Sequence, residues 1–234
     1  MIEFKGFCKN YKNKTGAENI CFVCPDNAVT ALIGANGAGK TTLIKAVTGI
    51  HYPDSGEVLV NGINPELEPV KVKAETGYLS EIQNLPSYLT VKEFLLQVAD
   101  LYGVKAGKAA ELFSLNNVLN EKIKNLSKGY LQRTAFAAAV MHNPDILVLD
   151  EPFSGLDPLQ IIELRKLIKS FSNNKTVLLS THIMQEAENL ADNFALIDKG
   201  KLLFSGKKEE LFSITGCSNL EESFLFLAQG KSEK

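Results

Sequence analysis

No stretch of this chain approaches the about eighteen consecutive apolar residues that a bilayer span requires, so no transmembrane segment is expected. Met1-Ile2-Glu3-Phe4-Lys5 also lacks the profile of a secretory signal, and the expectation is a soluble, cytoplasmic chain. Charge of one sign is missing too: 25 basic against 27 acidic residues leave a formal net charge of −2. Without a global positive field, nucleic acid is disfavoured as a main partner. Cysteine is scarce, with four in 234 residues. Cys21 and Cys24 form a C-x-x-C pair, but zinc needs two further ligands at matching spacing and no histidine lies nearby. Cys21-Phe22-Val23-Cys24 reads better as strand, where free cysteine behaves as a small hydrophobe. Internal repeats and low-complexity segments are absent, and 234 residues at 45% apolar content leave little room for a second full domain.

What is present centres on glycine. Gly34-Ala35-Asn36-Gly37-Ala38-Gly39-Lys40-Thr41 follows directly on the apolar run Val29-Thr30-Ala31-Leu32-Ile33 and is a complete phosphate-binding loop. Such a loop works when a strand delivers the glycines and a helix starts at the lysine, so that backbone N–H groups from Asn36 to Thr42 converge on phosphate. Lys40 then faces the β/γ oxygens, and the Thr41 hydroxyl is placed to ligate Mg²⁺. The predicted ligand is a nucleoside triphosphate.

Residues 2–33 alternate short apolar runs (Ile2-Glu3-Phe4, Ile20 to Val23, Val29 to Ile33) with polar turns, a strand-rich, antiparallel opening. Thr41 to Val47 has helical spacing, and Pro53-Asp54-Ser55-Gly56 turns the chain into a strand at Glu57 to Val60, closed by Asn61-Gly62. From Thr90 to about Asn143 the pattern is helical, with Val91, Phe94, Leu95 and Val98 at three- and four-residue steps. A continuous apolar run resumes at Asp145 to Leu149, as in a parallel strand buried on both faces. A helix over 158–171, a strand over 176–180, a hairpin over 194–205 turning at Lys199-Gly200 and a charged helical tail follow. The fold class is therefore α/β, a P-loop NTPase (RecA-like) core with an N-terminal antiparallel β region and an inserted α-helical subdomain. The expected organisation is one domain: core at 1–85 and 145–205, helical insert at 86–144, tail at 206–234.

Asp150 ends the buried run Ile146 to Leu149, which places its carboxylate at the sheet edge beside the loop. Glu151 follows at once. Two acids at one strand tip repel unless a cation is present, so a metal-holding Asp150 beside a water-activating Glu151 is a coherent division of labour. His182 ends the strand Val177 to Ser180 in the same way and can donate to a γ-phosphate oxygen.

Leu126-Ser127-Lys128-Gly129-Tyr130-Leu131-Gln132-Arg133 resembles the signature segment of the ABC transporter ATP-binding subunits, and the resemblance covers essentially the full chain. It implies that Ser127 and Gly129 contact the γ-phosphate of ATP on the opposite subunit, that Ser154-Gly155-Leu156-Asp157 is the loop crossing the dimer interface, and that Thr181-His182 carries the switch histidine. Tyr11 stands where the family has the aromatic residue that stacks on adenine. Two segments depart from the pattern. Lys128 and Tyr130 replace a glycine and a glutamine, and in Gly77-Tyr78-Leu79-Ser80-Glu81 the usual glutamine, which reaches Mg²⁺ or the attacking water, is Glu81; Gln83 is the alternative occupant of that role.

The resemblance implies an ATPase using ATP and Mg²⁺. Its implied partners are a transmembrane permease and a second ATPase subunit, either another copy or a relative, with no nucleic acid. The chain would then sit on the inner face of the membrane through the permease, which docks near residues 81–90 and the helical insert. The ending Asn219 to Leu227 resembles exporter ATPases, which favours export over import. A soluble relative acting on DNA or ribosomes would usually carry tandem domains or long coiled-coil insertions, and a P-loop kinase or GTPase has no need of Ser127, Gly129 or His182 and would show a base-reading Asn-Lys-x-Asp segment that is missing here.

Overall fold

Ile2, Phe4 and Phe7 point inward from β1 (Ile2–Tyr11), and Phe22, stacked on Phe4 at 4.7 Å, does the same from β2 (Lys14–Cys24). These strands pair antiparallel, and β1 pairs on its other edge with a later strand. The computed structural model describes residues 1–12 and 14–230, so the last four residues of the expected tail lie outside the described residues. Only short runs were legible in these two strands because Gly6, at φ 59°, breaks the alternation with a bulge, and further register shifts follow.

The chain continues through β3 (Val29–Ile33), α1 (Lys40–Val47), β4 (Ser55–Val60), α2 (Pro69–Glu75), β5 (Thr76–Leu79), α3 (Val91–Tyr102), α4 (Gly107–Leu112), α5 (Lys128–Val140), β6 (Ile146–Asp150), α6 (Pro158–Phe171), β7 (Thr176–Thr181), α7 (Met184–Leu190), β8 (Asn193–Asp198), β9 (Lys201–Lys207), α8 (Lys208–Thr215) and α9 (Leu220–Ala228). β4 completes a three-stranded sheet in the order β2-β1-β4. The second sheet has six strands, β5-β6-β7-β3-β8-β9, parallel except for β9.

The inner strands of this sheet are covered on both faces, as their unbroken apolar runs require. On β6, Leu147 and Leu149 join the core against the helices, while Ile146 and Val148 join the core shared with α1 and the antiparallel sheet. Asp150, the last residue of β6, and Glu151 after it are thereby carried at the end of a strand packed on both faces. β5 is the one strand whose sequence gives no run of its own. Its Gly77 marks a close approach, since a Cβ there would sit 2.3 Å from the Ala139 carbonyl oxygen of α5. The α/β class and the antiparallel opening are as expected from the sequence; the order of β6, α6 and β7 also matches.

Candidate active site

β3 ends at Ile33 and α1 begins at Lys40, so the glycine loop is the turn between them. Two contacts explain its glycines. A Cβ on Gly34 would lie 2.2 Å from the Ile197 carbonyl oxygen, and one on Gly39, itself at φ 114°, would lie 2.3 Å from the Gly16 carbonyl oxygen. The loop is thus clamped between β8 and β2. The Gly200 N–H donates to the Ala38 carbonyl at 2.8 Å and fixes the loop's outer side to the β8–β9 turn. No side chain caps α1 and its first turn holds no acid, so its leading N–H groups and positive dipole end are left for an anion.

Lys40 is buried, 6% exposed, and its Nζ donates to the Gly34 carbonyl at 2.7 Å. The same Nζ lies 3.3 Å from Oε1 of Glu151, which is 8% exposed. Glu151 Oε2 in turn lies 2.9 Å from His182 Nδ1. With Glu151 ionised, that bond requires the proton on Nδ1. Glu151 is held in the left-handed region at φ 48°, a strained position for a non-glycine residue. Its N–H is shared between the Ser180 carbonyl (3.2 Å) and Ser180 Oγ (3.0 Å). The Ser180 hydroxyl donates to Asp150 Oδ1 at 2.5 Å, so one fully buried serine ties both acids to β7. Burial above all, then the Glu81 and Glu151 carboxylates, push Asp150 above the ordinary carboxylate range, against the opposing pull of Ser180 and Lys40.

A cavity of about 560 Å³ opens over this arrangement. Tyr11, Asn36, Gly37, Gly39, Lys40, Thr41, Thr42, Glu81, Glu151 and His182 line it, joined by Gly16 and Ser154. Tyr11 is held at the rim: its hydroxyl is 2.8 Å from His51 Nδ1, and a Cβ on Gly16 would come within 2.6 Å of its ring. Ala38, within the loop, and Asp150 are buried and are not among the residues lining this cavity. Of the two alternatives for one role, Glu81 faces this cavity, whereas Gln83 donates its amide to the Ser80 carbonyl and lines a neighbouring cavity.

Ser127, Gly129 and Asp157 are not among the residues lining this cavity. Ser127 caps α5, accepting from the Tyr130 N–H at 3.4 Å, and Asp157 caps α6 in a reciprocal pair with Gln160. Gly16 and Ser180 are the site residues that sequence reasoning missed, and Ser154, expected only in the interface loop, also lines this cavity. Ser180 left a faint signal, a hydroxyl closing an otherwise apolar run between two acids' strand and a histidine.

Residues 17–154, more than half of the chain, match the family described as ABC transporter. The chain belongs to that family. This ABC protein is similar over nearly its whole length to curated relatives. The Nod factor export ATP-binding protein I of Burkholderia thailandensis is 35% identical, covering 94% of this chain and 75% of the relative. The lantibiotic transport ATP-binding protein SrtF of Streptococcus pyogenes is 33% identical over 96% of each. A solved structure titled as the ATP binding subunit of an ABC transporter superposes with a TM-score of 0.90 at 29% identity, covering 97% of this chain and 99% of that one. The ABC protein is accordingly an ATP-binding cassette with ATPase activity.

Proposed function

We propose that this ABC protein hydrolyses ATP to drive export through a separate membrane permease. The observation that carries the chemistry is the continuous chain Lys40–Glu151–His182 at the mouth of an uncapped helix and a glycine cradle. The ATPase core is assigned to 1–85 and 145–205, the helical insert to 86–144 and the tail to 206–234, all within one domain.

Asn36 to Thr42 bind the phosphates through backbone N–H groups, and Lys40 exchanges its Glu151 contact for the β/γ oxygens. Glu151, released from that pairing, takes a proton from the attacking water as the bond from the γ-phosphorus to its bridging oxygen breaks and the electron pair leaves on the β-phosphate. His182 orients Glu151 through Nδ1 and faces the γ-phosphate. Thr41, Asp150 and Glu81 supply the all-oxygen donor set that a hard dication prefers. The fit is supported by Asp150, which burial first and then the Glu81 and Glu151 carboxylates raise, a combination that a cation would offset. Mg²⁺ held there would neutralise charge on the phosphate oxygens. Tyr11 stacks on the adenine.

Ser127, Gly129 and Asp157 act on the nucleotide of a second subunit, another copy or a relative. Their absence from this chain's own nucleotide cavity supports that assignment. Among the described residues no helix is long and apolar enough to cross a membrane, so the pathway is assigned to the permease. The permease docks in a cavity of about 480 Å³ lined by Ile82, Gln83, Leu85, Phe94 and Leu101, where Ile82 and Leu101 expose apolar surface. The protein would thus sit at the cytoplasmic face of the membrane. The names of the relatives, Nod factor export and lantibiotic transport, support export.

Glu151→Gln tests the reading, since an amide cannot accept the water's proton while the cradle is untouched. Turnover should fall at least about 100-fold with ATP affinity retained in equilibrium titration. Near-normal hydrolysis by the purified variant removes Glu151 from the base role.

A further inference from the structure

Tyr11, the last residue of β1, joins the lining of the nucleotide cavity from outside the phosphate loop, and three contacts decide where its ring lies. The closest is to His51, whose Nδ1 is 2.8 Å from the phenol oxygen. A phenol donates as readily as it accepts, so this bond forms with either tautomer of the imidazole. A second, longer contact joins the same hydroxyl to Thr42 Oγ1 at 3.4 Å. Gly16 lies against the ring edge, where a Cβ would come within 2.6 Å. Gly16 and Thr42 line the cavity themselves, whereas His51 is not among its lining residues and acts on it through Tyr11.

His51 is itself tied to the helix that carries the phosphate loop. Its N–H and that of Ile50 donate to the Lys45 carbonyl of α1 at 3.0 and 2.8 Å, and Gly49, at φ 66°, turns the chain back at that point. One short helix therefore presents its leading N–H groups to the phosphates and anchors the Tyr11 ring through the turn at its end. Tyr11 is 40% exposed at the end of its strand. Other rotamers are open to such a ring, and bonds at its hydroxyl bias it towards this one.

We propose that His51 is a positioning residue for the nucleotide base, holding the Tyr11 ring in its stacking orientation before the nucleotide arrives. This rests on the stacking role given to Tyr11 under the proposed function. Apparent affinity falls with the fraction of protein in the binding-competent conformation. Loss of the bond should weaken binding by about threefold, within what one neutral hydrogen bond supplies. Among the described residues the His51 side chain hydrogen-bonds to Tyr11 and not to the phosphate loop, so a ligand without a base should not register the change.

ADP and inorganic pyrophosphate separate base from phosphates, and neither carries a γ-phosphate. In calorimetric titrations of the full chain with Mg²⁺ present, His51→Phe should bind ADP about threefold more weakly and pyrophosphate as the parent does. Tyr11→Phe removes the same bond from the other side and should cost at least as much, with no further loss in the double variant; it decides should His51→Phe not fold. His51→Asn, which sets an acceptor close to the Nδ1 position, should recover most of the ADP affinity. Unchanged ADP binding in His51→Phe or Tyr11→Phe, pyrophosphate weakened alongside ADP, additive losses, or no recovery in His51→Asn each overturns the proposal. Tyr11→Ala tells the two readings apart. Full ADP affinity in that variant removes the stacking role and the proposal with it, whereas a loss there beside an unchanged His51→Phe removes the proposal alone.

Discussion

Replacing Ser180 by alanine removes one oxygen atom and disconnects the Asp150 carboxylate from β7. Ser180 is fully buried, and its hydroxyl donates to Asp150 Oδ1 at 2.5 Å while accepting from the Glu151 N–H at 3.0 Å. The two bonds differ in what their loss costs. The Glu151 N–H keeps the Ser180 carbonyl at 3.2 Å, so the strained φ of 48° at Glu151 retains one anchor. Asp150, only 2% exposed, loses the donor to its carboxylate, and a hydrogen bond to a charged group is worth roughly 1.5–3 kcal/mol. The variant should therefore be destabilised by about 2 kcal/mol, which for a chain of this size lowers the Tm by about 4–8 °C. Differential scanning calorimetry of the nucleotide-free protein measures it, with urea titration as a second estimate. A Tm within about 1 °C of the parent would show that the hydroxyl does not hold Asp150, and the account of how the two acids are positioned would fail.

Gly39→Ala should abolish ATP binding in equilibrium titration while leaving the six-stranded sheet folded by circular dichroism, because a Cβ there meets the Gly16 carbonyl oxygen at 2.3 Å in a left-handed backbone that alanine resists; tight binding by this variant would contradict the described cradle. Glu93, whose carboxylate is held below the ordinary range first by the Thr90 backbone N–H and then by the Thr90 hydroxyl, closes the capping box of α3. Because its folded value is depressed, its contribution is present above the ordinary glutamate range and is lost as pH falls through the folded value. Thermal melts of the parent and Glu93→Ala should differ at neutral pH and converge in acid, and a gap that widens in acid would reverse the sign.

Much of the site was legible because its chemistry is carried by local patterns. The glycine loop announces itself between Ile33 and Lys40, and Asp150 and Glu151 stand at the end of an apolar run that reads as a buried strand. Helix α6 was readable to its ends because Asp157 and Pro158 mark its start. What was hidden depends on contacts far apart in sequence. Gly16 is required only because β2 lies on Gly39 and on the Tyr11 ring. Ser180 acquires its role only when β7 pairs with β6 and sets Ser180 opposite Asp150. β5 escaped notice because four residues, one of them glycine, give too short a pattern, and its place is secured by β6 and α5. The different surroundings of Glu81 and Gln83 likewise emerge only in the fold, since the two differ by two residues in sequence and line different cavities.

The central claim is that one chain holds the phosphates while Ser127 and Gly129 of another complete the site. Light scattering on Glu151→Gln with Mg-ATP tests it most directly, with Ser127→Arg added in a second sample. The account predicts an ATP-dependent dimer for Glu151→Gln, and for the double variant a monomer that still binds ATP, because the arginine side chain occupies the approach of the γ-phosphate to the α5 N–H groups. A double variant that dimerises on ATP as readily as Glu151→Gln alone would contradict the account.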